Sequence, residues 1–127
     1  MSRWSDEDGV VATQLAVLMP ALLVLLMLAV QFGLWAHASQ LARAAADEAA
    51  YIAALPDATD TAGRAAAAGL LAQAGNLTAV QITVDRQPDT VVATVEGVAP
   101  QVVPGFGWSV SATAAAPVER FIPQGSR

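Results

Sequence analysis

The hydrophobic residues of this chain are concentrated in one uninterrupted run near its N-terminus. No Asp, Glu, Lys or Arg occurs between Val10 and Ala42, and the most apolar part extends from Val10 to Trp35. A helix of about 20 residues crosses the ~30 Å hydrocarbon core of a bilayer. The pattern therefore predicts a transmembrane helix over residues 10–35. Pro20 is expected to bend this helix only mildly, because neighbouring groups in a membrane can satisfy the carbonyl that a proline leaves free.

The alanine-rich segment 36–55 continues the helical pattern beyond the membrane. It contains no Gly or Pro, and its larger apolar residues Leu41, Ile52 and Leu55 lie near helical spacing. Pro56 should end the helix, because the residue before a proline is disfavoured in the α conformation. We therefore expect a single helix over residues 10–55, of which 36–55 extends outside the membrane.

Residues 56–121 are predicted to form a small α+β domain that begins with a second, short helix. Asp57 or Thr59 is a suitable N-cap, and Gly75 suits the left-handed conformation that often ends a helix. The predicted apolar face of this helix consists of Ala66, Leu70 and Ala74, with Leu71 beside it.

The pattern after Gly75 changes to the alternation of apolar and polar residues that is typical of strands. The apolar positions of the predicted strands are Val80, Ile82 and Val84, then Val91, Ala93 and Val95, then Trp108, Val110, Ala112 and Ala114. We therefore expect an antiparallel sheet of about three strands with one apolar face packed on the helices. The predicted fold class is α+β, and residues 122–127 are expected to form a flexible tail.

The composition limits the partners of the chain. It has 127 residues, a net charge of −5, no Cys and no Lys. A domain as small as the predicted one has a thin core, and without cysteine neither a disulfide nor a thiolate metal site can support it. Support is therefore expected from the long helix, from the lipid bilayer or from neighbouring subunits. The acidic balance argues against a nucleic acid as a partner.

No residue pattern indicates catalysis, so we expect a protein that is not an enzyme and that needs no cofactor or metal. His37, the only histidine, lies beside the predicted membrane interface, where a lone polar side chain rarely has a catalytic role. The carboxylates of residues 6–8 and of residues 47–48 are adjacent in sequence, so they point to different sides of a helix. Ser109 has no candidate base nearby in the sequence.

The N-terminus indicates how the chain is processed and assembled. Residues 1–9 form a short polar leader that ends at Gly9, immediately before the apolar run begins at Val10. The leader is unlike a classical secretory signal, because the apolar run that follows is about twice the usual length. Within the run, Ala29 and Gly33 form a small-xxx-small pair, a spacing that lets two membrane helices approach closely.

Together these features resemble the class III-type signal and helix of type IV pilins. The polar leader ends at Gly9, an uncharged helix starts at Val10, Gln14 and Pro20 interrupt its apolar surface, and a small sheet follows the long helix. The chain is most similar to the TadE-like family of the tight-adherence (Flp) pilus system, in its actinobacterial form. The stretches that carry the resemblance are GVVATQLAVLMPALLVLLMLAVQFGLW, ARAAADEAAYIAA and ATAAAPVERF.

The resemblance implies a structural function, that of a minor pilin or pseudopilin of a Tad/Flp-type pilus or secretion apparatus. A prepilin peptidase would cut after Gly9, so that Val10 becomes the new N-terminus. The helix would then hold the subunit in the cell membrane in a single pass, with the C-terminal domain outside the cytoplasm or, after assembly, extracellular in a pilus. The implied partners are the peptidase, other pilin-like subunits, and the Tad secretion ATPase and platform.

One position departs from the family pattern. The family has Glu at the fifth mature position, where this chain has Gln14. A buried Glu can pair with the α-amino group of a neighbouring subunit and fix the axial register, whereas Gln carries no charge. Gln14, Pro20, Ala29 and Gly33 are the residues that we expect to govern helix assembly. The alternative is an uncleaved single-pass membrane protein with a small extracytoplasmic binding or sensing domain.

Overall fold

The computed structural model describes residues 3–75, 77–120 and 125, and its elements follow the predicted order of helices and strands. Two helices precede a three-stranded antiparallel sheet, so the predicted α+β fold class is confirmed. The elements are α1 (Arg3–Ala54), α2 (Asp60–Ala74), β1 (Thr78–Arg86), β2 (Thr90–Val98) and β3 (Ser109–Pro117). Phe121, where the predicted domain ends, lies outside the described residues, as does the predicted tail apart from residue 125.

Helix α1 is longer than the sequence predicted. It begins at Arg3 instead of Val10, continues through Gly9 and Pro20, and ends at Ala54. The earlier start has a physical reason, because Glu7 and Asp8 lie near the helix N-terminus, where the helix dipole favours negative charge. Its 52 residues extend over about 78 Å at ~1.5 Å per residue. At the other end, the Glu119 amide donates a hydrogen bond of 2.9 Å to the Ala54 carbonyl.

The second half of α1 provides one wall of the core, and this wall consists of alanine. Because alanine has the smallest apolar side chain, the sheet and α2 lie close to the helix backbone there. The partly buried side chains of Leu41 and Trp35 pack at the edge of the same core. The fully packed positions on this face are Ala38, Ala42, Ala45, Ala46, Ala49, Ala50, Ala53 and Ala54.

Both ends of α2 carry the caps that the sequence predicted. The Thr59 hydroxyl accepts a hydrogen bond of 3.2 Å from the Ala62 amide, which satisfies one of the free donors at the helix start. Gly75 has a φ of +67°, and its amide donates a hydrogen bond of 3.0 Å to the Leu71 carbonyl. Of the two predicted N-caps, Thr59 is therefore the one used.

The buried face of α2 differs from the predicted face by one position. The predicted residues Ala66, Leu70 and Ala74 are only half-buried. The buried residues are Gly63, Ala67 and Leu71. Gly63 explains the difference, because a β-carbon at this position would lie 2.6 Å from the Ala49 carbonyl oxygen. The two helices thus pack closely at Gly63, and a pattern of apolar residues does not include a glycine.

The sheet has the strand order β1–β2–β3, with both pairs antiparallel. Its central strand is the most buried, and Val91, Ala93 and Val95 face the core as predicted. Val84 is the only fully buried residue of β1. Val80, predicted to lie on the apolar face, is exposed because the register with β2 shifts between Thr78 and Gln81.

The sheet lies lengthwise along the second half of α1. Its β1–β2 turn and the end of β3 are at the Ala54 end, where Glu119 bonds to Ala54. The opposite end carries residues 99–108, here called the β2–β3 loop. This loop is held by Gln31 of α1 through hydrogen bonds to Pro100 and Val102. The folded domain therefore covers α1 from Gln31 onward and leaves the preceding part of the helix uncovered.

Candidate functional site: the exposed half of the N-terminal helix

The first half of α1 is an apolar rod that the rest of the chain does not cover. Every residue from Glu7 to Val30 is exposed, and the large apolar side chains between Val10 and Val30 are 38–71% exposed. Among the described residues, α1 is the one helix long and apolar enough to cross a membrane. The segment Val10–Val30 extends over about 31 Å at ~1.5 Å per residue, which matches a hydrocarbon core of ~30 Å. Such a surface needs lipid or the helices of other subunits around it.

The predicted processing site lies inside the helix. Gly9 and Val10 are both helical and exposed. The Thr13 hydroxyl donates a hydrogen bond of 2.8 Å to the Gly9 carbonyl, the carbonyl of the peptide bond that would be cut. A β-carbon at Gly9 would meet no atom within 4 Å. The fold of this chain therefore gives no packing reason for a glycine at position 9.

Gln14 and Pro20 lie on the same uncovered surface. Gln14 borders a shallow surface depression together with Thr13, Val17 and Leu18. Its side chain is exposed, and none of the described residues of the domain covers it. Pro20 is inside α1, and the helix continues on both sides of it. Both residues are thus available to a neighbouring molecule.

The small pair Ala29 and Gly33 is likewise unused by the domain. Both residues are exposed, and a β-carbon added at Gly33 would meet no atom within 4 Å. A close approach of a second helix is therefore sterically free at this position. Gln14 and Gly33 lie about 29 Å apart along the helix at ~1.5 Å per residue, so the four predicted assembly positions are distributed along the rod and do not form one compact site.

Gln31 makes a contact between the helix and the domain that the sequence analysis missed. The residue is 1% exposed and is the one buried polar residue among those that the structure describes. The amide Nε2 donates to the Pro100 carbonyl at 3.0 Å, and Oε1 accepts from the Val102 amide at 2.9 Å. The available signal was a polar residue inside an apolar run, since polar side chains within membrane segments are costly and usually have a partner.

An aromatic cluster lies one helical turn beyond Gln31. The Trp35 indole donates a hydrogen bond of 3.3 Å to the Ser109 carbonyl, and its ring is edge-on to Trp108 at a centroid distance of 6.3 Å. Phe32 packs beside Trp35 at 5.7 Å. Tryptophan favours the membrane–water interface, because one part of its ring system is apolar and the indole N–H is polar. The cluster joins the helix to the start of β3.

The described charged residues of the domain include two ion pairs at the surface. Asp60 and Arg64 are paired at 2.9 Å one helical turn apart, and Arg120 is paired with Asp89. All four side chains are substantially exposed, so each pair contributes little to stability. Within residues 3–75 and 77–120, no group of three or more His, Asp or Glu side chains is placed to hold a metal ion.

Comparison with known proteins gives a family match to most of α1. The family described as TadE-like protein matches residues 9–50. The matched segment begins at the predicted processing glycine, includes Gln14, Pro20 and Gln31, and ends in the alanine-rich part of α1. This match confirms the resemblance that the sequence predicted, and the sheet lies outside it. No curated protein matches the chain, and no solved structure does.

Proposed function

We propose that this chain, whose residues 9–50 match the TadE-like family, is a minor pilin or pseudopilin of a Tad-type pilus or secretion apparatus. The family match supports a structural component associated with a Tad pilus, held in the membrane by one long apolar helix. The observation that carries the finer proposal is the uncovered apolar surface from Val10 to Val30, attached to a domain that is folded on the same helix.

The exposed rod suits a subunit that moves between a membrane and a helical assembly. Lipid and a bundle of partner helices are both apolar surroundings, so the transfer changes the hydrophobic stabilisation of Val10–Val30 little. The preference then depends on close packing and on a few polar contacts. Ala29 and Gly33 offer a close approach, and Gln14 offers a polar contact, all on surface that the domain leaves free.

In this proposal the leader is removed after Gly9 by a prepilin peptidase, and Val10 becomes the N-terminus. A peptidase acts on an extended segment, so the first helical turns must unwind before cleavage. Glycine favours unwinding, because it costs about 0.5–1 kcal/mol relative to alanine inside a helix. The Thr13 bond to the Gly9 carbonyl would be lost in the same step. Residues 1–9 would face the cytoplasm, and the domain would lie outside it.

N-terminal mass spectrometry of the protein from its native host tests the processing step. We expect the wild-type chain to begin at Val10 and a Gly9→Leu variant to keep its full length. The matched control is the wild-type chain in cells without the peptidase, which should also remain full length. An intact leader in cells that contain the peptidase would contradict the proposal and favour the uncleaved membrane protein with a binding or sensing domain.

The proposed minor role follows from Gln14, which stands where the family pattern has Glu. A hydrogen bond to a charged group contributes about 1.5–3 kcal/mol, and a neutral one about 1 kcal/mol. The difference is about 0.5–2 kcal/mol, so a Gln14→Glu variant should enter sheared filaments or complexes roughly 2- to 30-fold more readily. Gln14→Leu is the control for membrane insertion, which it should leave unchanged. Quantitative immunoblotting measures both. Wild-type protein as abundant in filaments as the major pilin would refute the minor role.

Assembly requires other components of the same apparatus. The family match over residues 9–50 supports association with other Tad pilus components. We propose that other pilin-like subunits contact the exposed helix, and that the Tad secretion ATPase and platform move the subunit out of the membrane. With a net charge of −5, the chain is not expected to bind nucleic acid.

A further inference from the structure

We propose that the β2–β3 loop inserts its apolar side chains into the bilayer beside the far end of the membrane-spanning helix. The loop thereby acts as a second, shallow membrane anchor of the folded domain. This inference rests on the proposed insertion of Val10–Val30 in the membrane, and it adds a contact between the domain and lipid.

The loop has the composition of a membrane-contacting segment. No charged residue occurs between Glu96 and Glu119. Phe106 is 60% exposed and Val102 is 39% exposed, although both are large apolar side chains. The sheet itself exposes one comparable side chain, Val80, at 36%. Apart from Tyr51 of α1, which is 58% exposed, the large apolar side chains that the described part of the domain exposes thus lie at the end that faces the membrane helix.

The position of the loop along α1 places it within the bilayer. Val103, Phe106 and Trp108 line an apolar cleft of about 200 Å³ together with Val24, Met27, Leu28 and Gln31 of the helix. The charge at the start of the apolar run has to remain among the headgroups. It is carried by Asp8 in the uncleaved chain and by the Val10 amino group after the proposed cleavage. A hydrocarbon core of ~30 Å then ends about 20 residues later, close to residues 28–30. The loop side chains that line the cleft therefore pack beside a helical segment that is still inside the hydrocarbon.

A loop can enter lipid only where its backbone polar groups find partners within the protein, and several groups of this loop do so. Gln31 satisfies the Pro100 carbonyl and the Val102 amide. The Phe106 amide donates to the Val103 carbonyl at 3.2 Å, and the Ala99 amide donates to the Trp108 carbonyl at 3.0 Å. Pro100 and Pro104 have no amide hydrogen at all. The buried Gln31 on the helix thus provides hydrogen-bond partners for two backbone groups of the loop that inserts.

Lipid is the molecule most suited to fill this cleft, because the apolar surface of the helix continues into it. The helix wall of the cleft belongs to the same apolar rod that lipid surrounds on its other sides, from Val10 to Val30. Because the cleft walls are almost entirely apolar, water gains few hydrogen bonds there. An acyl chain that covers Val24 and Leu28 would continue over Phe106 without a polar interruption.

Depth measurement with nitroxide lipids tests the proposal on the full chain. Because the chain has no Cys, single-cysteine variants can each carry one NBD fluorophore. Phe106→Cys and Val102→Cys report on the loop, Leu23→Cys on the membrane helix, and Gln87→Cys on the opposite end of the sheet. Each labelled chain is placed in phosphatidylcholine nanodiscs at one copy per disc, with and without doxyl-labelled lipid.

We expect the two loop labels and the Leu23 label to lose most of their emission to doxyl lipid, and the Gln87 label to lose none. Loop labels that behave like the Gln87 label while Leu23 is quenched would overturn the proposal and leave the proposed function intact. Loop labels that become shielded only when several copies share a disc would also overturn it, in favour of a subunit contact. An unquenched Leu23 label would overturn the membrane insertion of the helix, and the loop proposal with it.

Discussion

Replacing Gln31 by leucine should release the β2–β3 loop from the helix. Leucine has a similar volume but cannot bond to the Pro100 carbonyl or to the Val102 amide, which now lie 3.0 and 2.9 Å from the Gln31 side chain. A buried polar group that loses its partner costs about 1–3 kcal/mol. Local opening of the loop should become easier by that amount, while the alanine-lined core, which begins at Ala38, remains intact.

Hydrogen exchange of the Val102 amide measures this opening directly. Since 1.36 kcal/mol corresponds to a factor of ten, a cost of about 1–3 kcal/mol lowers the protection of this amide roughly 5- to 150-fold. The measurement uses the full chain in detergent micelles, with amides resolved by NMR. Gln40→Leu is the matched control, because Gln40 is an exposed glutamine on the same helix. Unchanged protection in Gln31→Leu, or an equal loss in Gln40→Leu, would refute the assigned role of Gln31.

Two further predictions concern glycine and backbone conformation, and both are measured as the free energy of unfolding of the full chain in detergent. Gly63→Ala should lower the free energy of unfolding by about 1–3 kcal/mol through overpacking, because the new β-carbon would lie 2.6 Å from the Ala49 carbonyl oxygen. The control is Gly69→Ala on the same helix, where a β-carbon meets no atom within 4 Å. This variant should raise the free energy of unfolding by about 0.5–1 kcal/mol. A stable Gly63→Ala protein would mean that α2 does not pack this closely. Ala79→Gly should stabilise by up to about 1 kcal/mol, because Ala79 has a φ of +51°, a conformation that costs a residue with a β-carbon about 1–2 kcal/mol. A loss of stability in this variant would contradict the left-handed conformation of Ala79.

The elements of the fold could be predicted from local signals. The end of α1 near Pro56, the Thr59 cap, the Gly75 end of α2 and the alternating apolar positions of the strands each depend on a few neighbouring residues. Such signals are present in the sequence itself, since cap and turn residues act on backbone groups within a few positions. The start of α1 was harder to place, because the polar residues before Gly9 have no apolar periodicity, although they are compatible with a helix.

The contacts between elements could not be predicted in the same way. Gln31 binds residues 69 and 71 positions away, so nothing near it in sequence indicates its partner. The buried face of α2 is determined by Gly63, whose contribution is the absence of a side chain. The predicted roles of Gly9, Gln14 and Gly33 depend on other molecules and stay predictions; within this chain the three positions are exposed.

In the proposed pilin role, the division of α1 into two surfaces limits how this chain can assemble. From Ala38 onward the helix offers a face of alanine to its own domain, and between Val10 and Val30 it offers large side chains to its surroundings. Gln31 and Trp35 fasten the domain at the boundary between these surfaces. Only the first half can therefore enter a bundle of partner helices without unfolding the domain. If the β2–β3 loop is in lipid, extraction of the helix also removes Phe106 from lipid, and a neighbouring subunit has to provide an apolar surface for it. Assembly would then select partners that cover the loop as well as the helix.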